Sequence, residues 1–314
     1  MVNFALIGAA GYIAPRHLKA MADVGGRLSA AMDRSDSVGI MDRYFPDAAF
    51  FTEFEQFDRH VSMVQAGPAD ARIGYVAICS PNYLHDSHMR YALRSGADAI
   101  CEKPLVLDPS DLDTLEELEQ QTGHRVNTIL QLRLHPSIIA LRERLTAATP
   151  ADKHDVVVTY CTSRGSWYHA SWKGDLAKSG GIATNIGVHF FDMLTFLFGD
   201  VQSRSAHVRA DTHAAGYLEL ERARVRWFLS IDRAHLPPHT PAGQTTYRSI
   251  TVDGAEIEFS GGFTELHTES YRAILDGRGF PASAARNSIE TVAALRTADL
   301  TPEIGAKHDF LSAL

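Results

Sequence analysis

The spacing of apolar residues divides the chain into two parts with different rhythms. Over the first ~125 residues short apolar runs alternate with stretches of helical period, which predicts a parallel sheet joined by crossover helices. NFALIGAAG reads as a strand entering a glycine turn, RLSAAMD as a second strand ending at Asp33, GYVAICSP as a third and ADAICEKPL as a fourth, after the helical stretch HDSHMRYALRSG. PSDLDTLEELEQQTG predicts a helix capped by Ser110 and stopped by Gly123, and RVNTILQLRL predicts a further strand. Past Ala151 the period becomes two. DVVVTYCTSR, SRSAHVRAD, AAGYLELE, ARVRWFLSID, RSITVDG and AEIEFSGG predict antiparallel strands with one exposed face. The Asp253–Gly254 pair marks a hairpin. AATPADKH, at 147–154, is the linker-like stretch between the two rhythms, and the helical ASAARNSIETVAALRTADL follows all the strands.

One apolar segment breaks its own pattern. SGGIATNIGVHFFDML, Ser179–Leu194, is hydrophobic enough for a core yet carries Asn185, His189 and Asp192 at helical spacing. Phe190, Met193, Leu194 and Leu197 supply the buried side, so a polar stripe is left to face something else. Taken alone, the stripe reads better as a core histidine held by Asp192.

Composition narrows the field. The 314 residues suffice for one large or two medium domains, and 45% hydrophobic with 22% charged residues is ordinary for a globular enzyme. The net charge of −8 argues against a nucleic-acid surface while leaving room for a locally basic pocket. No apolar run approaches the ~18 residues of a membrane span, and the N-terminus enters a strand pattern without a signal-peptide signature. Cys79, Cys101 and Cys161 share no metal-ligand spacing, which fits a reducing cytoplasm and no metal centre.

The candidate chemistry starts at GAAGYIA, a G-x-x-G-x-x-A turn between strand and helix. Gly8 allows the turn, Gly11 admits a pyrophosphate and Ala14 permits close helix–strand packing. The amides around Ala10, Tyr12 and Ile13 would face phosphates. Asp33, at the end of the second strand, is placed to take adenine ribose hydroxyls, which favours NAD over NADP, although Arg34 beside it could accept a 2′-phosphate. SPNYLH puts Ser80, Pro81, Asn82 and His85 at the carboxyl end of the third strand, where open α/β sheets gather ligands; Asn82 could also cap the next helix. EKP ends the fourth strand on the same rim, so Glu102 and Lys103 are expected at the cofactor, with a cis bond before Pro104.

GAAGYIA, SPNYLH, EKPL and GGIATNIGVHFFDML together resemble the glucose-fructose oxidoreductase / inositol dehydrogenase / rhizopine-catabolism family. That resemblance implies an N-terminal Rossmann parallel-sheet domain and a C-terminal α/β domain with an open-faced, mainly antiparallel sheet. The expected boundaries are 1–125, 126–284, a helix at 285–300 packing back on the first domain, and a tail at 301–314. TSRGSWYHASWKGD, ARVRWFLSID, YRSITVDG and GFTELHTESY extend the likeness to the family's bacterial UDP-N-acetyl-2-amino-2-deoxyglucuronate dehydrogenases. The tail TPEIGAKHDFLSAL matches no pattern.

The resemblance implies NAD-dependent oxidation of the C3 hydroxyl of UDP-N-acetylglucosaminuronic acid, in O-antigen synthesis. It places Lys103 and His189 over the nicotinamide. One of them takes the hydroxyl proton and the other hydrogen-bonds the oxygen; His189 suits the base near neutral pH and the reverse is nearly as good. Asp192 would orient the imidazole. The anionic substrate would be met by Arg16, His17, Arg164, Trp167, Trp172, Lys173, Asn185, Tyr247, Arg248 and Ser249, with Arg133 as a weaker candidate. Family members imply a homotetramer and 2-oxoglutarate as an oxidant that recycles NADH. An inositol or other sugar dehydrogenase, or a non-catalytic NAD-binding sensor, are the competing readings.

Overall fold

The computed structural model describes residues 1–147, 152–257 and 265–312, which form two compact units. Half of the linker, at 148–151, lies outside the described residues, as do residues 313–314 and 258–264, the latter including the end of the expected strand AEIEFSGG.

The first unit begins with β1 (Asn3–Ile7), α1 (Ala14–Asp23), β2 (Arg27–Met32), β3 (Ala49–Phe51) and α2 (Phe54–Gln65). It continues with β4 (Tyr75–Ile78), α3 (His85–Arg94), β5 (Asp98–Cys101), α4 (Ser110–Thr122) and β6 (Val126–Thr128). The strands run in the order β6-β5-β4-β1-β2-β3, all parallel. β1 and β4 are neighbours although a helical layer and two strands separate them in sequence. This order reversal is where a crevice opens at the strands' carboxyl ends. β1 is buried along its whole length, as a strand covered on both faces must be. β3 is short and its residues are half-buried, and its weak signal gave no strand prediction. α4 does end at Gly123, in the left-handed region, but Asp108 rather than Ser110 makes the N-terminal turn: its Oδ1 accepts from the Ser110 amide at 3.0 Å.

The second unit holds α5 (Pro136–Ala147), β7 (His154–Thr162), α6 (Trp167–Ala170), α7 (Leu176–Ser179), α8 (Gly181–Asn185) and α9 (Val188–Phe198). Strands β8 (Val201–Arg209), β9 (His213–Leu220), β10 (Ala223–Ser230), β11 (Thr246–Val252) and β12 (Ala255–Glu256) complete a sheet of order β12-β11-β7-β10-β9-β8. It is antiparallel except for the central β7/β10 pair. One face packs on α8 and α9, where Trp227 meets Phe191 and Tyr160 meets Phe190. The Asp253–Gly254 hairpin forms with both residues at positive φ.

The chain then returns to the first unit through α10 (Leu266–Leu275) and β13 (Phe280–Pro281), which pairs antiparallel with β6. α11 (Arg286–Thr297) was the expected returning helix. Instead α10 packs along α1, and from Asn287 onward the chain groups with the second unit. Within that unit Arg209 donates to the carbonyls of Leu295 and Ala298. The tail lies along the sheet face opposite α8 and α9: His308 bonds Thr159, and Phe228 packs on His308 and Phe310. Among the described residues no single helix is long and apolar enough to cross a membrane.

Candidate functional site

The glycine turn after β1 is built for close approach. Gly8 sits at φ +91°, and a Cβ there would stand 2.6 Å from the Cys79 and Ser80 backbone. Gly11 is also close-packed, though less tightly: its Cβ would lie 3.0 Å from the Gly8 carbonyl oxygen. Ala14 is fully buried at the start of α1, the small residue that close packing requires. Asp33 faces the turn. Its Oδ2 accepts from the Ala10 amide at 3.0 Å and its Oδ1 from the Ser35 amide at 2.9 Å. The acidic residue therefore fastens the end of β2 to the turn, and the Ala10 amide expected at a phosphate is held by it. Tyr12, Arg16 and Arg34 are exposed, and Ile13 and Pro81 are half-buried. A strand, a glycine turn, a helix start and an acid at the second strand's end fit a dinucleotide.

The loops after β4 and β5 are tied from beneath. His85 is buried, with Nδ1 2.7 Å from the Pro104 carbonyl and Nε2 2.8 Å from the Ser80 carbonyl. Burial lowers its pKa and the two carbonyls oppose this; the neutral ring donates to one of them and the protonated ring to both. His85 thus clamps the two loops, and the cofactor contact expected of it gives way to that bond pair. Ser80 Oγ lies 2.9 Å from His88 Nδ1. Asn82 is buried and opens a 3-10 turn rather than capping α3.

His17 and Glu102 were placed toward substrate and cofactor, but their side chains turn into the core. α1 is amphipathic, and His17 falls on its buried face beside Leu18. Glu102 Oε1 accepts from His17 Nε2 at 3.0 Å and from His267 Nε2 at 2.9 Å, and Oε2 accepts from the Lys103 amide at 3.2 Å. Burial alone would raise the Glu102 pKa; the bonds from the two histidines outweigh it and hold the carboxyl well below its usual range. Tyr271 completes the cluster, 2.8 Å from His17 Nδ1. Lys103 itself is half-buried, and the Lys103–Pro104 peptide is cis.

In the second unit the polar stripe is split. The helix expected through 179–194 breaks at Ile186–Gly187, and the helical run Leu176–Asn185 meets α9 at 45°. Asn185 ends α8 and donates to Tyr168 Oη at 2.7 Å. His189 lies half-buried in the first turn of α9. Asp192, 2% exposed, receives the Arg133 guanidinium on both oxygens, at 3.0 and 2.7 Å. Burial raises the Asp192 pKa, and Arg133 counters it. Arg133 sits in a 3-10 turn, not on the expected strand.

Lys173 Nζ lies 4.2 Å from the Trp172 ring centroid and 5.7 Å from that of Trp167, a cation against two aromatic faces. The Arg164 amide donates to Ile231, and the Arg164 charge acts on Tyr168. The three β11 residues do not act together. Arg248 lies over Tyr160 on the α9 side, whereas Tyr247 packs with Cys161 and Phe228 on the tail side, the alternation a strand imposes. Ser249, two residues on from Tyr247, bonds Glu256 at 3.0 Å. Sequence reasoning passed over Tyr168, His267 and Tyr271, although the last two stand at i,i+4 spacing within GFTELHTESY.

Residues 2–129 match the model described as "Oxidoreductase family, NAD-binding Rossmann fold", and residues 154–239 its "C-terminal alpha/beta domain". A WlbA (WbpB) dehydrogenase from Thermus thermophilus, solved with NAD and alpha-ketoglutarate, is 53% identical with a TM-score of 0.94, covering 99% of this chain and 100% of that one. The same enzyme solved with NAD and UDP-GlcNAcA gives 52% and 0.93, over 99% and 100%. An inositol 2-dehydrogenase of Rhizobium meliloti is 28% identical over 63% of this chain, and the match spans 56% of that protein's own length. The chain belongs to the glucose-fructose oxidoreductase / inositol dehydrogenase / rhizopine-catabolism family of NAD-binding oxidoreductases.

Proposed function

We propose that this chain oxidises the C3 hydroxyl of UDP-N-acetylglucosaminuronic acid with NAD, yielding the 3-keto sugar for O-antigen synthesis. The observation that carries the reading is full-length similarity at 52% identity to an enzyme solved with NAD and UDP-GlcNAcA. Bound NAD supplies the hydride acceptor. The Gly8–Gly11 turn, Asp33 and the loop ends at Ser80 and Lys103 would hold it. His189 takes the hydroxyl proton and Lys103 donates to the same oxygen, lowering the cost of the developing alkoxide. Lys173 between its two tryptophans, Arg164 and Arg248 provide cationic and aromatic groups for a uronate and a diphosphate. Similarity to a protein solved with alpha-ketoglutarate supports that acid as the oxidant that regenerates NAD on the enzyme. The reading places the enzyme in the cytoplasm as a homotetramer; the three buried free thiols are consistent with a reducing compartment.

Lys103→Ala and His189→Ala are each expected to lower kcat by at least about 100-fold while NADH binding stays within a few-fold, read by absorbance at 340 nm and by NADH fluorescence. Wild-type kcat in both variants would exclude the assignment. A substrate panel addresses the inositol reading, which the Rhizobium meliloti relative favours. Equal turnover of UDP-GlcNAc, lacking the carboxylate, would count against a uronate-specific site.

A further inference from the structure

Beneath the lysine, the fold buries a hydrogen-bonded cluster that the proposed reaction does not use. Glu102, His17, His267 and Tyr271 come from three separate segments: the end of β5, α1 and α10. All four are nearly or wholly inaccessible. A buried carboxylate is costly unless its oxygens are matched by donors. Here every matching donor can be named. Oxygen Oε1 only accepts, so both histidines present Nε2–H to it, at 3.0 and 2.9 Å. A neutral His17 with its proton on Nε2 has a lone pair at Nδ1, and the Tyr271 hydroxyl lies 2.8 Å from it and donates. The opposite oxygen, Oε2, takes the backbone N–H of Lys103.

We propose that His17, His267 and Tyr271 are positioning residues for Lys103, acting through Glu102. The cluster locks the Glu102 side chain, and Glu102 in turn fixes the main chain from which the lysine side chain departs. α1 begins at the glycine turn, so the same bonds couple that turn to the lysine. Stability alone does not require the arrangement, since an apolar cluster of similar volume fills a core at lower desolvation cost. What the carboxylate adds is a directional bond to one particular amide.

The inference rests on the reading of Lys103 as a group that acts on substrate, and the test keeps the two apart. Tyr271→Phe removes one hydroxyl and leaves the ring in the core. Tyr75→Phe is the control: Tyr75 packs against Phe4 at the edge of the same core, as Tyr271 packs against it from within, but makes no bond to this cluster. Tyr271→Phe and Glu102→Gln are expected to lower kcat about 10-fold or more with KM for the UDP-sugar changed less than about 3-fold, as misplacement of a reacting group does. Hydrogen–deuterium exchange across residues 98–107 should quicken in both variants and stay at the wild-type rate in Tyr75→Phe. Unchanged kcat and unchanged exchange in Tyr271→Phe and Glu102→Gln would overturn the proposal, whatever Lys103→Ala does. Faster exchange with Lys103→Ala still active would uphold the clamp and refute the function instead. His17, Glu102 and His267 could also gather a metal ion, since their ligand atoms lie within 4.8 Å of one another. Stoichiometric metal in the purified protein would overturn the proposal, because the N–H donors would then be absent.

Discussion

A carboxylate at 2% exposure must be paired, and Asp192 shows how residue-level reading goes wrong and right together. The spacing of His189 and Asp192 pointed to an orienting acid, but the partner on both its oxygens is Arg133, which lies 59 residues away in sequence. Spacing reveals neighbours on one helix and is silent about groups arriving from elsewhere. His17 was misread for a related reason: its residue type invites a ligand, while the face of α1 that carries it is the core face. The place of Asp33 beside the turn, by contrast, was legible, because a strand end next to a glycine turn constrains where an acid can go. The Asp192 pair gives a sharp expectation. Arg133→Met leaves a buried charge without its partner and should cost about 3–5 kcal/mol, whereas Arg133→Met with Asp192→Leu should recover most of that loss. Trp167, Trp172 and Trp227 are the chain's three tryptophans and all lie in the second unit, so intrinsic fluorescence during urea unfolding reads the unit concerned. A double variant as unstable as the single one would contradict the account.

At the scale of elements, period-two patterning located the strands of the second unit well, and failed where strand context mattered. It could not announce that β7 and β10 run parallel. The division of Arg248 from Tyr247 and Ser249 between two faces follows from the same alternation. The continuous helix expected at 179–194 breaks at Gly187, where a Cβ would stand 2.4 Å from the Ala183 carbonyl oxygen. The tail carried no readable pattern because its anchors are single residues on a sheet face, not a periodic stripe. His308 is one such anchor, and burial lowers its pKa to about 4. Unfolded histidine takes up a proton below about pH 6.5, and the folded ring resists until about 4. The stability this gives is therefore complete above pH 6.5 and is lost as pH falls through that window, by at most about 3 kcal/mol. His88, also lowered to about 4, has the same sign but sits in the first unit. Comparing tryptophan-monitored unfolding at pH 7.5 and 4.5 should show a smaller loss in His308→Gln than in wild type. Equal losses would place the acid sensitivity elsewhere.

At the scale of the molecule, the two rhythms of the sequence did foretell two units, but not that both are discontinuous. The helical pattern of α10 shows that it buries a face and says nothing of what covers it. The contacts assign it to the first unit, where Leu266, Tyr271 and Ile274 are buried and Tyr271 and Ile274 join the core of Phe4, Leu6 and Leu18. Burying three such side chains contributes about 5–9 kcal/mol. That is comparable to the whole net stability of a typical domain, about 5–15 kcal/mol. A fragment of residues 1–131 would keep six of the seven strands of its sheet and the glycine turn, yet lose this burial, the pairing of β13 with β6, and two of the partners of Glu102 and His17. It is expected to unfold without a cooperative transition and to give no saturable NADH fluorescence. Joining residues 265–286 to it through a Gly/Ser linker should restore both. Cooperative unfolding and full-chain NADH affinity in the 1–131 fragment would show that α10 is an accessory to the nucleotide unit and not part of its core.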